Sequence, residues 1–402
     1  MKKKLIAIAV AGAFIAPVAM ADTGNVTIYG QANVSYESIR NDNGKTALGV
    51  TVNGVTNNQI SSDASRIGFK GSEDLGGGTS AVWQIEQGVA FDTGAWATAN
   101  RNTYAGLKNE SMGEIRLGNH DTPYKMATRN LDMFIDTIAD NRSLMGAVGA
   151  TVGQRAAFAA ATSTLTIASA LAGGMPSALG SFDGRQPNSI VYLSPSMGGF
   201  TVNLGHSSVT ESASAANTHK SSIWGAAAAY NVAPFYGTLA YERHTLDGLI
   251  AGNTDVWEYA YKLGFGYSVD QFAVNLIYER THDNFGKKYG YPQEDIFGHH
   301  AYYIAGKYNI SGSDAVKAAY TKVNDLNLGG IGVNDTGAKQ WSLGYDHAMS
   351  KRTTVYALYT RLNNNQHASY ALMNSGATTA GVASNGFDSS PSAFALGMKH
   401  TF

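Results

Sequence analysis

The chain has 402 residues, of which 15% are charged, and its formal net charge is −1. Typical soluble proteins carry about 25% charged residues, whereas this chain is rich in Gly (46) and Tyr (22) and has no Cys. A near-neutral chain without a basic tract excludes a nucleic-acid partner, and the lack of Cys excludes a disulfide framework. Low charge with abundant Gly and Tyr favours an all-β membrane protein over a cytosolic globule.

The first predicted element is an export signal. The letters MKKK form a basic n-region, LIAIAVAGAFIAPV forms an apolar h-region, and AMA at residues 19–21 is a small-x-small cleavage site. We predict a cleaved signal peptide at residues 1–21 and a mature chain at 22–402, whose formal charge falls from −1 to −4 with the loss of three lysines. The alternative, an uncleaved anchor helix, is disfavoured by Pro17 and the small residues that follow the apolar run.

Period-two alternation then recurs to the end of the chain and predicts strands, because successive side chains of a strand point to opposite faces. In the clearest segment, 256–269, one face carries Trp257, Tyr259, Tyr261, Leu263, Phe265 and Tyr267. Beyond the export signal, no run of 18 strongly apolar residues predicts a membrane-spanning helix. The nearest candidate, 156–172, is mostly Ala, Ser and Thr and is interpreted as loop with a short helix.

The connections between these segments are alternately short and long. Long ones include 38–64, 121–184, 282–298 and 363–391. Counting the segments predicts sixteen strands, an even number as in closed bacterial barrels. The alternative, a soluble β-sandwich, would have shorter strands of about five or six residues. We therefore predict an all-β fold, a 16-stranded antiparallel transmembrane β-barrel with short turns on the periplasmic side and long loops outside.

The stretch SRIGFKGSEDLG, residues 65–76, shows which face points inward. Ile67 and Phe69 lie on one face of a strand, and Arg66 and Lys70 lie on the other. A Lys or Arg on the lipid-facing side near the midplane costs about 2–4 kcal/mol. The two cations are therefore expected to face a water-filled lumen, and the apolar pair is expected to face lipid.

Four motifs together resemble a known family. They are SRIGFKGSEDLG at 65–76, NRNTYAGLKNESMGEIRLGN at 100–119, FDGRQPNSIVY at 182–192 and the final ALGMKHTF, and the resemblance extends from NVTIYGQANVSY at 25–36 to the C-terminus. The mature chain resembles the trimeric general porins of Gram-negative outer membranes, most closely their beta-proteobacterial branch. The resemblance implies an outer-membrane channel for small hydrophilic solutes and ions, a homotrimer, and contact with outer-membrane lipids and lipopolysaccharide. It also implies that the terminal Phe402 is part of a signal read by the outer-membrane assembly machinery.

In this family the third outer loop folds into the barrel and narrows it. The third long connection here is 121–184, and its first part carries Asp132, Asp136 and Asp140. The resemblance places such carboxylates opposite a wall cluster that matches Arg66, Arg101 and Arg185. Alternation supports an inward Arg101, with Tyr104 on the lipid side, and adds Lys70 and Arg116 to the inward set.

The chain departs from the family pattern in two places. A first-strand position that often holds Lys is Gln31 here, and residues 146–180 form an Ala/Gly-rich insertion in the third loop. The insertion has three readings that the sequence leaves open, namely a thicker constriction, a cover for the mouth, or a contact with a neighbouring subunit.

Enzyme and metal motifs are missing from the sequence. There is no G-x-S-x-G elbow, His299 and His300 are adjacent on a strand and point apart, and NDNG at 41–44 lacks the acidic spacing of a calcium loop. We predict no enzymatic activity, no cofactor and no metal.

The predicted function is passive diffusion through a porin. The alternatives are a substrate-selective channel, with a binding site built by the third loop, and an outer-membrane enzyme or adhesin. The five acids and four bases of 121–184 nearly cancel, so the sequence leaves ion preference open.

Overall fold

The structure is a computed structural model that describes residues 26–45, 49–146, 182–208, 220–247, 255–288, 292–327, 334–373 and 386–402. The predicted signal peptide at 1–21 and the predicted short helix within 156–172 lie outside the described residues. The insertion at 146–180 also lies outside them, apart from its first residue.

Twenty strands are present in the described residues, and most of them are 8 to 16 residues long. They are β1 (Val26–Asn41), β2 (Gly44–Lys45), β3 (Thr51–Val52), β4 (Val55–Ser62), β5 (Arg66–Gly76), β6 (Thr79–Ala90), β7 (Ala95–Asn100), β8 (Thr103–Asn109), β9 (Gly113–Asp121), β10 (Arg185–Leu193), β11 (Phe200–Ser208), β12 (Lys220–Val232), β13 (Phe235–Asp247), β14 (Trp257–Ser268), β15 (Phe272–Asp283), β16 (His300–Asn309), β17 (Asp314–Val323), β18 (Ala338–Ala348), β19 (Thr353–Asn364) and β20 (Ser392–Thr401).

Eighteen of these strands form one antiparallel sheet that closes on itself through the pairing of β1 with β20. Strands β4 and β5 both pair with β1 and make one wall strand interrupted at residues 63–65. Strands β7 and β8 likewise both pair with β6. The wall therefore has sixteen strands, which confirms the predicted 16-stranded antiparallel barrel, and β2 with β3 forms a separate small hairpin.

Helical structure in the described residues is short. It consists of α1 (Pro123–Thr128), α2 (Phe285–Lys288) and two 3-10 turns, Arg129–Leu131 and Asn141–Ser143. No helix in this part of the chain has the length and apolar character needed to cross a membrane.

The outer face of the barrel is apolar, as the alternation predicted. Leu263 in β14 and Ile304 in β16 are about half exposed (49% and 50%), whereas Glu258 and Lys262, on the opposite face of β14, are buried (2% and 1%). A soluble sheet has the reverse arrangement. Closure leaves the sheet without a free edge, which is the condition for a sheet to lie in hydrocarbon.

The ring is sealed where the C-terminal end of the chain meets the first strand. Gly30 donates its N–H to the carbonyl of Phe402 (3.0 Å), and Phe402 donates to the carbonyl of Gly30 (3.1 Å). A Cβ atom at Gly30 would collide with the Phe402 ring, so the close approach needs glycine. Phe402 itself is 45% exposed, on the same face as Phe394 and Leu396.

The lipid-facing assignment predicts a depth-dependent cost of charge. Leu276 lies in the middle of β15 and Phe272 is its first residue, and both are exposed on the apolar face. We expect Leu276→Lys to lower the free energy of unfolding in lipid vesicles by about 2–4 kcal/mol and Phe272→Lys by about 0–1 kcal/mol. Urea titration of the folded protein in vesicles measures both, and equal costs for the two variants would contradict the assignment.

Candidate functional site

A polar cavity of about 360 Å³ lies between the barrel wall and segment 122–146, the described part of the third long connection. Six cationic side chains line it, three from the wall and three from the segment. They are Arg66, Arg101, Arg185, Lys125, Arg129 and Arg142, and the carboxylates among the lining residues are Asp121 and Asp136. The structure thus brings together the three arginines that the sequence predicted as a cluster.

Arg66 and Arg101 share one wall carboxylate, Glu86 of β6. The Arg101 Nε group forms a very short ion pair with Glu86 Oε1, and Arg66 Nε lies 3.9 Å from Glu86 Oε2. The Tyr29 hydroxyl donates to the same Oε2 atom at 2.9 Å. Glu86 is only 8% exposed, so it holds the two guanidinium groups from behind while they remain about one-fifth exposed.

Arg185 and Lys125 are held in a similar way by Asp121 at the end of β9. Arg185 Nη2 lies 2.9 Å and Lys125 Nζ lies 2.7 Å from Asp121 Oδ1. Arg185 also donates from Nε to the Asn102 side-chain oxygen at 2.8 Å. Burial lowers the pKa of Lys125 to about 8, even though Asp121 opposes this shift.

Segment 122–146 has its own ionic centre at Asp140. Both Arg129 (2.9 Å) and Arg142 (3.1 Å) pair with this carboxylate, whose side chain is fully buried. Asp140 also accepts the backbone N–H of Asp136 (3.2 Å) and that of Arg142 (3.0 Å). Burial alone would raise the pKa of Asp140, but the two guanidinium groups outweigh it and hold the pKa well below its usual range. These contacts indicate a structural role inside the segment.

Asp132 is buried behind the same centre. Its oxygens accept the backbone N–H groups of Phe134 (2.9 Å) and Asn141 (3.0 Å) and the Tyr303 hydroxyl (3.2 Å). Burial, reinforced by the nearby charge of Asp140, raises the pKa of Asp132 to about 7. Neither Asp132 nor Asp140 is among the residues that line the cavity, so their predicted place in a constriction stays a prediction.

Asp136 is the predicted loop carboxylate that faces the wall arginines. Its Oδ2 atom lies 3.4 Å from Arg66 Nη1, and its Oδ1 atom lies 3.4 Å from Arg129 Nη2. Burial raises its pKa, but Arg66 and Arg129 outweigh that effect and lower it. The backbone of Asp136 is left-handed (φ 60°), and its carbonyl accepts from Asn33 of β1 at 2.7 Å.

Apolar contacts hold segment 122–146 against faces of the wall strands that point away from the exposed apolar surface. Its buried Leu131, Phe134 and Ile138 belong to the same cluster as Ile277 of β15 and Tyr303 of β16. Polar contacts add to this packing, because the Tyr124 hydroxyl donates to Glu279 (2.8 Å) and the Met133 backbone N–H donates to the Tyr303 hydroxyl oxygen (2.9 Å).

Lys70 and Arg116 lie outside the lining of the cavity. Lys70 is solvent-exposed, with its ammonium 5.2 Å from the centre of the Tyr29 ring. Arg116 pairs with Glu114 (2.6 Å) and lies 4.4 Å from the centre of the Tyr104 ring. Lys70 and Arg116 therefore do not belong to the cationic cluster at the cavity, and their role as pore-wall residues stays a prediction.

One step of the sequence argument for Arg101 is wrong. Tyr104 pairs with Gln84 and contacts Arg116, on the face opposite the exposed Leu107, so it does not face lipid. Arg101 still reaches Glu86 because it lies between β7 and β8, where the wall strand is interrupted and its register against β6 shifts. The interruption breaks the alternation on which the prediction relied.

Five charged residues of the site were not predicted, namely Lys125, Arg129, Arg142, Asp121 and Glu86. Lys125, Arg129 and Arg142 lie in a connection without strand periodicity, where alternation assigns no direction. Glu86 follows the exposed Ile85 in β6, so alternation was sufficient to identify it as inward. In the described residues, no group of three or more His, Asp or Glu side chains is arranged to hold a metal ion.

Comparison with known proteins identifies the family. The sequence model of the Gram-negative porin family matches residues 7–367. The chain belongs to this family. Membership places the porin in a Gram-negative outer membrane, the location that the sequence predicted.

The porin is similar to several characterised members. Outer membrane porin protein 32 of Delftia acidovorans is 25% identical over 413 residues, which cover 100% of both chains. The major outer membrane protein P.IB of Neisseria gonorrhoeae is 37% identical over 135 residues, which span 33% of this chain and only 36% of that protein. The structure of the anion-selective porin from Comamonas acidovorans has the same fold, with a TM-score of 0.70, 22% identity and coverage of 94% of this chain and 99% of that one.

The buried position of Asp140 predicts that its loss opens segment 122–146. Asp140→Ala leaves the Arg129 and Arg142 guanidinium groups without their shared carboxylate, and breaking a buried pair costs about 3–5 kcal/mol. Asp136→Ala, the control, removes two longer contacts of 3.4 Å, to Arg66 and Arg129, whose side chains stay 23% and 15% exposed, so we expect a smaller loss. Hydrogen exchange of the segment measures both opening free energies. Similar losses in the two variants would disprove the central role of Asp140.

The raised pKa of Asp132 predicts that the opening free energy of segment 122–146 depends on pH. The folded protein prefers the protonated carboxyl, so its stabilising contribution is complete below the unfolded pKa, near 4, and is lost as pH rises through about 7. We expect stronger hydrogen-exchange protection of segment 122–146 at pH 5 than at pH 8, after correction for intrinsic exchange. Asp132→Asn should abolish this contribution, and an unchanged pH dependence in that variant would exclude Asp132 as its source.

Proposed function

We propose that the protein forms a water-filled channel for passive diffusion of small hydrophilic solutes and ions across the outer membrane. The supporting observation is the cavity between wall and segment, whose lining has six cations and two carboxylates. Glu86 and Asp140, which partner four of these cations, are buried at 8% and 0% exposure. The surface that a passing solute meets therefore carries a more positive charge than the sum of the charges over the whole cluster.

The third connection narrows this channel in our proposal. Support comes from the contacts of segment 122–146 with Asn33, Ile277 and Tyr303, on the strand faces opposite the apolar surface. Arg66, Arg101 and Arg185 form one side of the constriction, and Asp136 with Arg129 forms the other. Lys70 and Arg116 act as further charges on the barrel wall, away from the constriction.

The charges at the constriction orient solutes as they pass and do not bind them tightly. Arg66 of the wall and Asp136 of the segment pair at 3.4 Å in the lining of the cavity, so opposite charges meet at its edge and their field orients dipolar solutes. Conduction requires that a solute leave as easily as it enters. The excess of cations in the lining favours anions, and the structurally similar porin from Comamonas acidovorans is anion-selective.

The remaining parts of the proposal rest on family membership. We propose a homotrimer, delivery to the outer membrane after cleavage of residues 1–21, and recognition of the C-terminal Phe402 by the assembly machinery. We propose no enzymatic activity, in line with the channels to which the chain is similar.

Single-channel recording of the purified protein in asymmetric salt tests the channel and its selectivity together. Arg66→Glu reverses one charge at the cavity, and we expect the anion-to-cation permeability ratio to fall by about threefold or more, which corresponds to about 0.7 kcal/mol. The control is Lys351→Glu, the same charge change at an exposed residue of a short turn. An unchanged reversal potential for Arg66→Glu removes Arg66 from the constriction, and the absence of pores refutes the channel itself.

A further inference from the structure

Among the residues that line the cavity, one cation can give up its proton. Five of the six cations are arginines, whose guanidinium groups stay charged in proteins, and the sixth is Lys125. The lining has two carboxylates, Asp121 and Asp136, against these six cations. Repulsion among the cations is therefore relieved when Lys125 becomes a neutral amine.

The contacts of Asp121 allow this loss of charge. Lys125 Nζ lies 2.7 Å from Asp121 Oδ1, and Arg185 Nη2 lies 2.9 Å from the same oxygen. The Asn102 side-chain amide donates to Asp121 Oδ2 at 3.3 Å. When Lys125 loses its proton, Asp121 thus keeps its ion pair with Arg185 and its hydrogen bond from Asn102, and the carboxylate is not left without a partner.

The surroundings of Lys125 also favour the neutral amine. Burial lowers its pKa to about 8, and the charges of Arg185 and Arg142 add to this effect while Asp121 opposes it. An amine with this pKa is about one-tenth neutral at pH 7, whereas a lysine with the usual pKa of about 10.4 is neutral in about one molecule in 2,500. The neutral amine is the form of lysine that attacks a carbonyl carbon.

The arginines around Lys125 determine which carbonyl compounds fit the cavity. Arg185 begins β10 of the wall, Arg142 belongs to segment 122–146, and both line the cavity together with Lys125. Guanidinium groups form strong hydrogen bonds with phosphate and carboxylate groups. The cavity volume of about 360 Å³ is typical of small-molecule sites. A small aldehyde with an anionic group therefore pairs with a guanidinium while its carbonyl group lies in the same cavity as the amine.

We propose that Lys125 is a modification site, at which small aldehydes with an anionic group form a reversible imine. The Lys125 nitrogen attacks the carbonyl carbon, and one N–H proton passes to the carbonyl oxygen to give a carbinolamine. The new hydroxyl group then leaves as water with the second N–H proton, and the carbon–nitrogen double bond forms. The reaction needs no oxidant or reductant, and water reverses it.

The proposal rests on the proposed function, because the channel carries anions to the cavity. It adds a covalent step to passive diffusion. An anion with an aldehyde group stays in the cavity until its imine is hydrolysed, whereas an anion without one passes. While the imine persists, the ammonium group of Lys125 is lost from the lining and a negative charge is added to it, so the preference for anions decreases.

The test labels the purified, detergent-solubilised porin with pyridoxal 5′-phosphate at pH 7. Cyanoborohydride traps the imine, because its hydride converts the imine into a stable secondary amine. Peptide mass spectrometry measures the labelling rate of Lys125 relative to that of Lys351, an exposed lysine of a short turn in the same sample. Pyridoxal, which lacks the phosphate, is the matched probe, and the ratio within one sample cancels the different reactivities of the two aldehydes.

We expect Lys125 to react with the phosphorylated probe about tenfold faster than Lys351 or more, because a larger fraction of Lys125 is neutral. The ratio should fall by about threefold or more with pyridoxal, which has no anionic group to pair with arginine. It should also fall as the pH rises toward 10, where Lys351 loses its proton as well. A Lys125 rate at pH 7 that does not exceed the Lys351 rate overturns the proposal, and so does an equal ratio for the two probes.

Two variants assign the effect of the label on the channel. Lys125→Arg keeps the charge and removes the nucleophile, and Lys351→Arg does the same at the turn. After brief labelling, we expect the anion-to-cation permeability ratio to fall by about threefold or more in the wild type and in Lys351→Arg. A fall of equal size in Lys125→Arg overturns the proposal, because the effect then comes from other lysines.

The same recordings separate this proposal from the proposed function. Pores in a protein whose Lys125 shows no preferential labelling refute the modification site alone. Preferential labelling of Lys125 in a protein that forms no pores refutes the channel alone, because the labelling rate is measured without a membrane. Circular dichroism of each variant confirms that the barrel is folded.

Discussion

The cost of placing charge in hydrocarbon is the constraint on which this structure depends. A lipid-facing Lys or Arg near the bilayer midplane is unfavourable by about 2–4 kcal/mol, so each strand must turn its cations inward or hold them at its rim. Arg66, Lys262 and Lys317 lie on inward faces, while Lys322 and Lys339 lie near strand ends. An interior that receives so many charges must in turn supply carboxylates or water for them.

Two kinds of contact hold segment 122–146 in the barrel, and the second supplies a carboxylate for its cations. Its apolar side chains pack with Ile277 and Tyr303 on the wall, and its arginines bring their own carboxylate, Asp140, which is buried with them. The cations therefore reach the cavity surface while most of the opposing charge lies behind it. The sign of the electrostatic field at the cavity surface therefore depends on how deeply each charged side chain is buried. The net charge of the chain, −1, has only a weak influence on it.

The strand count and the two faces of the barrel were predictable, because a period of two survives in every long strand and one face must be apolar. The grouping of Arg66, Arg101 and Arg185 came from the resemblance to a family, and the alternation argument for Arg101 failed where β7 and β8 are interrupted. The directions of Asp132, Asp136 and Asp140 were not predictable. They depend on tight turns and on backbone groups such as the Asn141 N–H, for which the sequence has no periodic pattern.

The two ionic contacts of Asp136 differ in kind from those of Asp140. Asp136 joins wall to segment through separations of 3.4 Å to Arg66 and to Arg129, and its side chain is 12% exposed, whereas the Asp140 contacts are shorter and fully buried. At about 1 M salt the Debye length is about 3 Å, close to the length of the Asp136 contacts. Buried pairs are screened less than exposed ones, so electrolyte weakens the Asp136 contacts more than the fully buried Asp140 contacts. In the proposed channel, the ionic link between the wall and segment 122–146 is therefore weaker in concentrated salt than in dilute salt.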